Sequence, residues 1–440
     1  MAERVHFVGI CGSGMSSLAL WYAELGYAVS GCDRDPGNNV GELKKAGIEV
    51  FQGHHPSHAE NADVVVHTAA VPADHPELEA ARRSGRRVLR RSEALAGLAN
   101  GSRLLAVAGA HGKTTATAMT GWILQECGLD PTVMVGGHVT AWDGNFRPGS
   151  DIAVVEADEY DRTFLRLKPE SAAVTSFAIE HLECYGTPEA LSLAFGIFLE
   201  MTRPGGTVIV PHINRELAVW AERIGRKVLT TGPEGELFCR PVRDGGWEQE
   251  YSVEGHRGTL PLPGSHNLRN AETSIALAGS MGVGIRESVK ALETFPGVSR
   301  RLEKVGTFGS SLLVSDYAHH PDEIRAALQA ASVITRGTVG VIFQPHLYSR
   351  TAAQAEEMGS ALAGAAWSLV LPIYPAREEP LPGVTSDLVV EAAKRIGGDS
   401  MACAPRELKE LLEGKRADVV IFMGAGSVDS YCRQLAGVEA

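Results

Sequence analysis

The chain has 440 residues, of which 44% are hydrophobic and 21% charged, with a formal net charge of −12; this predicts two to four ordinary globular domains. The negative balance excludes a general nucleic-acid binder, which needs a basic surface to neutralise phosphates, and no apolar run reaches the ~20 residues of a membrane span. Seven scattered cysteines, never in Cys-x-x-Cys, point away from a disulfide framework or a zinc site, and with an opening MAERVHFVGI that starts a strand rather than a secretion signal they predict a cytoplasmic protein.

In chain order, Val5 to Val8 reads as a short apolar strand, followed by a turn carrying Gly9, Gly12 and Gly14. A helix pattern runs from Met15 to about Leu25, and Gly26 ends it. Further strands are expected at Tyr27 to Gly31, closing at Asp33, at Val64 to Thr68 and at Arg87 to Leu89. Strand, turn, helix and strand at this spacing make a parallel βαβ unit. The arginines at 82, 83, 86, 87, 90 and 91 read as a solvated helix end leading into the last of those strands, with contact to a phosphorylated ligand as the alternative.

A second unit opens at Leu104 to Ala108 and continues through strands at Ile152 to Glu156, Ala172 to Ser176 and Thr207 to Val210. Val228 to Leu262, rich in Gly, Pro and charge, reads as an edge-hairpin region, and Pro263 to Met281 as a turn that becomes a helix. After Arg300-Arg301, strands are expected at Ser311 to Ser315, Val339 to Phe343, Ser368 to Leu371 and Asp418 to Met423. Helices fall between them, at Pro321 to Ala331 and Ala352 to Leu362. The expected fold class is α/β, with three doubly wound domains at 1–97, 98–300 and 301–440.

The strongest chemical signal is Gly109-Ala110-His111-Gly112-Lys113-Thr114-Thr115. Glycines let backbone N–H groups converge on phosphate oxygens, and the following helix N-terminus adds its positive end. Lys113 suits the terminal phosphates of ATP, and Thr114 or Thr115 suits a magnesium ion. Val107 stands where the longer G-x-x-x-x-G-K-[ST] pattern has glycine, so the match rests on the strand before and helix after. The first glycine turn is less specific: with Asp33 about 20 residues on, it fits a nicotinamide cofactor, a nucleotide-sugar or a tight helix–strand junction.

Together these motifs resemble those of the Mur ligases, over about Val5 to Ser427. HFVGICGSGMS (6–16) is similar to the family's UDP-binding turn, AGAHGKTT (108–115) to its ATP loop and EADEYDRTFL (156–165) to its central acidic motif. PGSHNLRNA (263–271), FPGVSRRLE (295–303), DYAHHPDE (316–323), FQPHLYSRT (343–351) and GAGSV (424–428) complete the series. FQPHLYSRT and YPAREEPLPGV (374–384) are more like the branch that adds alanine. Between Lys168 and Lys227 there is no lysine, which removes the branches that carry a carbamylated lysine there.

The resemblance implies a Rossmann-like UDP-sugar domain, a central ATP domain and a Rossmann-like amino-acid domain. It implies ATP and Mg2+ as cofactors, UDP-N-acetylmuramate and L-alanine as substrates, and a monomer or homodimer. The lactyl carboxylate would attack the γ-phosphate, and alanine would then displace phosphate from the acyl phosphate. Catalytic roles fall to Lys113, Glu156, His181 and Arg301. Nucleotide contacts fall to Gly109, His111, Gly112, Lys113, Thr114, Thr115, His266, Asn270, Arg301 and Asp316, and magnesium to Thr114, Glu156 and His181, with Asp158 or Glu159 in support. Substrate contacts fall to Gly12, Ser13, Gly14, Met15, Asp33, Thr68, His319, His320, His346 and Arg350. The chain departs from the pattern at Ala110, Ala318 and Leu347 and across 176–183, where Ser176 and Ala178 are expected to lose polar reach. Those departures keep two other readings open, a ligase that recycles murein peptides and a nucleotide-binding regulatory protein without turnover. A nicotinamide oxidoreductase, built on the first turn alone, is the third.

Overall fold

The computed structural model describes every residue except Met1, Asp35, Pro36, Asn38, Asp161, 179–181, Arg377, Glu439 and Ala440, and the backbone alone at 182, 183 and 244. The chain divides into two compact units, one of Met1–Arg240, Ser252–Gly258 and Arg269–Pro296, the other of Pro241–Tyr251, Thr259–Leu268 and Gly297–Ala440.

The first unit holds two sheets. In the first, β1 (Arg4–Val8), β2 (Ala28–Asp33), β3 (Glu49–Gln52), β4 (Val64–His67) and β5 (Arg87–Arg90) run parallel in the order β3-β2-β1-β4-β5. Period-2 alternation sends Val5, Phe7, Val64 and Val66 into one core and Val8, Cys32 and Val65 into another on the opposite face. Burial on both faces is why such strands read as nearly continuous apolar runs. The strand order reverses between β1 and β4, which leaves a crevice beyond their C-terminal ends.

The second sheet comprises β6 (Arg103–Ala108), β7 (Thr132–Val139), β8 (Gly144–Arg147), β9 (Ile152–Glu156), β10 (Ser171–Val174), β11 (Thr207–Pro211) and β12 (Lys227–Thr231), ordered β12-β11-β10-β6-β9-β7-β8. Only β8 runs antiparallel to its neighbour. The central strand β6 has β9 on one side and β10 on the other, so the turns after these three strands open together at one edge. Arg240–Gly245, Glu248–Val253 and His256–Leu260 form a three-stranded sheet in sequence order, β13-β14-β15.

The second unit is built on β16 (Glu303–Phe308), β17 (Ser311–Asp316), β18 (Val339–Phe343), β19 (Trp367–Val370), β20 (Ser400–Ala402) and β21 (Val419–Met423), ordered β16-β17-β21-β18-β19-β20. Val314, Val341, Phe343, Ile421 and Met423 face one core, and Leu313, Ile342, Leu369, Val420 and Phe422 the other. The expected strands are all present. The additional ones, β3, β7, β8, β16 and β20, are short or lie towards sheet edges. There one face stays half-exposed and the apolar run is broken, as by Gly136-Gly137 in β7 and by a register shift between Lys304 and Gly306 in β16. Among the described residues no helix is long and apolar enough to cross a membrane.

Candidate active site

At the end of β1, Gly9 adopts φ +81° and donates its N–H to Cys32 O at 2.8 Å. A side chain there would lie 2.8 Å from Thr68 Cγ2, so glycine permits the close approach of the β1 and β4 ends. Gly12 then caps the helix Ser13–Glu24, whose first N–H groups form an anion-binding end. A Cβ on Gly14 would meet the Arg91 guanidinium at 2.8 Å. Met15 is buried in the hydrophobic core. Asp33 Oδ2 accepts the Cys11 N–H at 2.9 Å, which gives the carboxylate a part in holding the turn.

The phosphate loop follows β6. Gly109 has φ +131° and Gly112 φ +83°, and the helix Lys113–Glu126 begins directly after Gly112. A Cβ on Gly112 would collide with Asn270 Oδ1, so Asn270 abuts the loop. The loop is moored to the turn after β10: Ser176 Oγ accepts the His111 N–H at 2.8 Å, Thr175 Oγ1 donates to His111 O, and Ala110 N–H donates to Ser176 O at 3.0 Å. The expectation that Ser176 loses polar reach is therefore corrected; a hydroxyl is long enough because the β10 turn passes directly beside the loop. Thr114 and Thr115 are buried behind it.

Lys113 Nζ donates to Glu159 Oε1 at 2.8 Å and to the carbonyls of Gly109 and Ala110. Burial disfavours its charge, but Glu159, then Asp158 and Glu156, outweigh that and hold its pKa above the usual lysine value. Glu156 ends β9 and accepts the Gly136 N–H at 2.9 Å; a Cβ at Gly136 would lie 2.7 Å from Glu156 Oε2. Asp158 accepts from Arg91 at 3.2 Å, and Arg91 also donates to Thr163 Oγ1 at 3.1 Å. Among the described residues, three carboxylates thus face Lys113 and Arg91 beside a phosphate-shaped loop. His181 lies outside the described residues.

In the second unit, Arg301 lies between two residues with left-handed backbone, Arg300 (φ +60°) and Leu302 (φ +49°). Such conformations cost ~1–3 kcal/mol each and persist only where neighbours over-determine them. Asp316, at the end of β17, supplies that support: Oδ2 accepts the Leu302 N–H at 2.8 Å and Oδ1 the Ala318 N–H at 2.7 Å. Both oxygens thus serve the main chain, a positioning role that stands beside the nucleotide contact expected of this residue. Arg300 and Arg301 both lie over the Tyr317 ring, at 4.9 and 5.0 Å.

Burial, opposed by Arg301 and the two N–H donors, pushes the Asp316 carboxyl up to about 6. The folded protein thus holds this proton more tightly than the unfolded chain, whose aspartates titrate near ~3.9. Its contribution to stability is complete below ~4 and is lost as pH rises through about 6. The unfolding midpoint of the wild type minus that of Asp316→Asn is expected to shrink between pH 4 and 7. A difference that stays flat or widens would refute this titration.

His320 caps the helix Pro321–Ile334, its Nδ1 accepting the Asp322 N–H at 3.4 Å, and its Nε2 lies 3.1 Å from Gln354. His320 thus also caps a helix, beside the substrate contact expected of it. His319, His346 and Tyr374 form a short aromatic row: the two imidazoles are edge-on at 5.8 Å and the His346 ring stacks on Tyr374 at 5.8 Å. Burial lowers the His319 pKa; Glu323 opposes this and Arg350 reinforces it. Arg350 Nη1 is buried without a hydrogen-bond partner among the described residues. His266 lies in the first turn of the helix Ser265–Ser280, in the same unit, against Gly264.

Comparison with known proteins accounts for these features. Three family models match in order: Mur ligase family, catalytic domain, over residues 4–103; Mur ligase middle domain over 107–278; and Mur ligase, glutamate ligase domain over 300–426. The chain belongs to the Mur ligase family. The UDP-N-acetylmuramate–L-alanine ligase of Paenarthrobacter aurescens is 40% identical, the match covering 97% of this chain and 95% of that protein. That of Renibacterium salmoninarum is 41% identical, covering 97% and 93%. Among solved structures, the UDP-N-acetylmuramate-alanine ligase of Thermotoga maritima matches with a TM-score of 0.84 at 28% identity, covering 99% of this chain and 98% of that one. A murein peptide ligase from Psychrobacter arcticus, at 22% identity and TM-score 0.74 over the whole of both chains, shares the fold.

Several residues of this Mur ligase's site were not singled out from sequence. Arg91 sits in an arginine cluster that reads as solvated, yet its side chain is 14% exposed and turned inward onto Asp158. Nothing local distinguishes it from Arg87, which pairs with Glu3 at the surface. Thr175 and Tyr374 belong to the same class, because their partners are remote in sequence.

Proposed function

We propose that this Mur ligase joins L-alanine to the lactyl carboxylate of UDP-N-acetylmuramate at the expense of ATP, as a step in peptidoglycan precursor synthesis in the cytoplasm. The observation that carries the reading is Lys113, held at the head of a glycine loop by Glu159. Near-full-length similarity to two alanine-adding ligases sets the substrates. The domain division 1–97, 98–300 and 301–440 then assigns the nucleotide-sugar, ATP and the amino acid in turn.

Attack of a carboxylate on a phosphoryl group brings two anions together, so the protein must supply positive charge and alignment. Lys113 exchanges Glu159 and the loop carbonyls for the terminal phosphates, while the helix N-terminus after Gly112 takes the inner ones. The nucleotide-sugar pyrophosphate docks at the N-terminus of Ser13–Glu24, beside the β1–β4 crevice. In the amino-acid domain the bare Arg350 N–H is a ready donor to the alanine carboxylate. His319, kept neutral by burial, favours the free amine that the second step consumes.

The donor set fits a magnesium ion: Glu156, Glu159 and the Thr114 hydroxyl are oxygen ligands, and the carboxylate charge around Lys113 calls for a cation. When bound, it would neutralise phosphate charge.

The test is phosphate release from ATP with UDP-N-acetylmuramate, with and without L-alanine, glycine, L-serine or murein tripeptide. Release is expected to depend on L-alanine and to yield a product heavier by one alanine residue. Stimulation by tripeptide alone would move the chain to the recycling ligases, and none under any condition would overturn ligation.

A further inference from the structure

Beneath the first glycine turn lies a cluster that the reaction does not use. His6, Cys32 and Glu77 are all fully buried, and their ligating atoms lie within 4.8 Å of one another. Cys32 Sγ is 3.0 Å from Glu77 Oε2, and His6 Nε2 is 3.8 Å from the same oxygen. His54 Nδ1 lies 3.3 Å from Cys32 Sγ and 3.6 Å from Glu77 Oε1. We propose that His6, Cys32, Glu77 and His54 bind a single Zn2+ ion.

Three of the four separations above, 3.3, 3.6 and 3.8 Å, suit the ion, and the Cys32–Glu77 contact at 3.0 Å is shorter. A tetrahedral zinc with Zn–S about 2.3 Å and Zn–N or Zn–O about 2.0–2.1 Å places neighbouring ligand atoms about 3.3–3.8 Å apart. The donor types also match, a thiolate, imidazoles and a carboxylate being the zinc set. His6 Nδ1 engages Ser30 Oγ at 2.9 Å, while Nε2 faces the cluster, buried and without a hydrogen-bond partner among the described residues. Such supporting bonds fix the ring of a metal-bound histidine. The His55 N–H orients Glu77 through a 2.7 Å bond to Oε1. His58 Nδ1, also buried and unbonded among the described residues, lies 3.4 Å from that oxygen at the mouth of the cluster.

The cluster gathers a thiol, a carboxylate and two imidazoles at one buried point. Cysteine-pair spacing cannot reveal it, because the ligands come singly from β1, the end of β2, the turn after β3 and the helix Pro76–Arg83. Binding replaces the Cys32 S–H bond by a Zn–S bond, and the proton leaves to solvent. Since Cys32 O accepts the Gly9 and Ile10 N–H groups, the ion would brace the nucleotide-sugar turn from behind. It is distinct from the oxygen-only set around Lys113.

The test titrates metal-free full-length protein with Co2+, without nucleotide or Mg2+, and then with Zn2+. One equivalent is expected to give thiolate-to-cobalt charge-transfer absorption with intense tetrahedral d–d bands, both abolished by zinc. Cys32→Ser, checked for fold by circular dichroism, is expected to lose the charge-transfer band. X-ray absorption of the zinc-loaded wild type should show one sulfur at about 2.3 Å with nitrogen and oxygen neighbours at about 2.0–2.1 Å, and decides the matter alone if the variant does not fold. Absence of any sulfur signal, or its persistence in Cys32→Ser, would overturn the site.

Discussion

Lys113→Ala is expected to lower kcat by at least about a thousandfold, equivalent to about 4 kcal/mol of transition-state stabilisation. Among the described residues the lysine is the one side-chain cation that donates to the phosphate-loop carbonyls, and the reaction places two anions against each other there. The substitution also has a structural consequence. Glu159 is 3% exposed and loses its lysine partner, and breaking a buried pair from one side costs up to about 3–5 kcal/mol. Part of that is recovered because Lys113 remains 17% exposed and water can enter. The decisive comparison is the double variant Lys113→Ala/Glu159→Gln, which also removes the carboxylate charge that faced the lysine. It should regain most of the lost unfolding free energy and none of the turnover. If turnover returned with stability, Lys113 would be a structural residue and the loop would have been misread.

Gly109→Ala should abolish ATP binding without removing a single polar group. At φ +131° an L side chain is strained, and its Cβ would lie 2.8 Å from both Ser176 N and Ser176 O. Those are backbone atoms of the turn that moors the loop through Ala110 and His111, so the neighbour cannot swing aside as a flexible side chain would. The loop must move, and the N–H groups that converge on phosphate move with it. A loss of at least about a hundredfold in ATP affinity and ~1–3 kcal/mol of stability is expected. Gly97→Ala is the control: it lies in the helix Arg91–Ala99, a Cβ there meets nothing within 4 Å, and stability should hold or rise by up to ~1 kcal/mol. Isothermal titration with an unhydrolysable ATP analogue measures the first effect. Wild-type affinity in Gly109→Ala would sink the account of the loop.

The amino-acid sequence by itself determined the α/β class, the central strands and the phosphate loop. These are local matters: a strand buried on both faces must be apolar throughout, and a loop that wraps phosphate must carry glycine at its left-handed positions and lysine at the helix start. Residues 104–108 and 109–115 declare themselves for that reason. Edge strands such as Glu49–Gln52 and Glu303–Phe308 do not, because half-exposure removes the continuous run. Only the tertiary structure decided the partners: Arg91 with Asp158, Lys113 with Glu159, Asp316 under the arginine turn, and a buried cysteine beside Glu77 and two histidines. In each case the groups lie tens of residues or more apart, save Asp316 and Leu302, which are brought together by one antiparallel strand pair. A charged side chain reads the same whether it ends in water or against its counter-ion, and the difference is set by which strands the sheet places side by side.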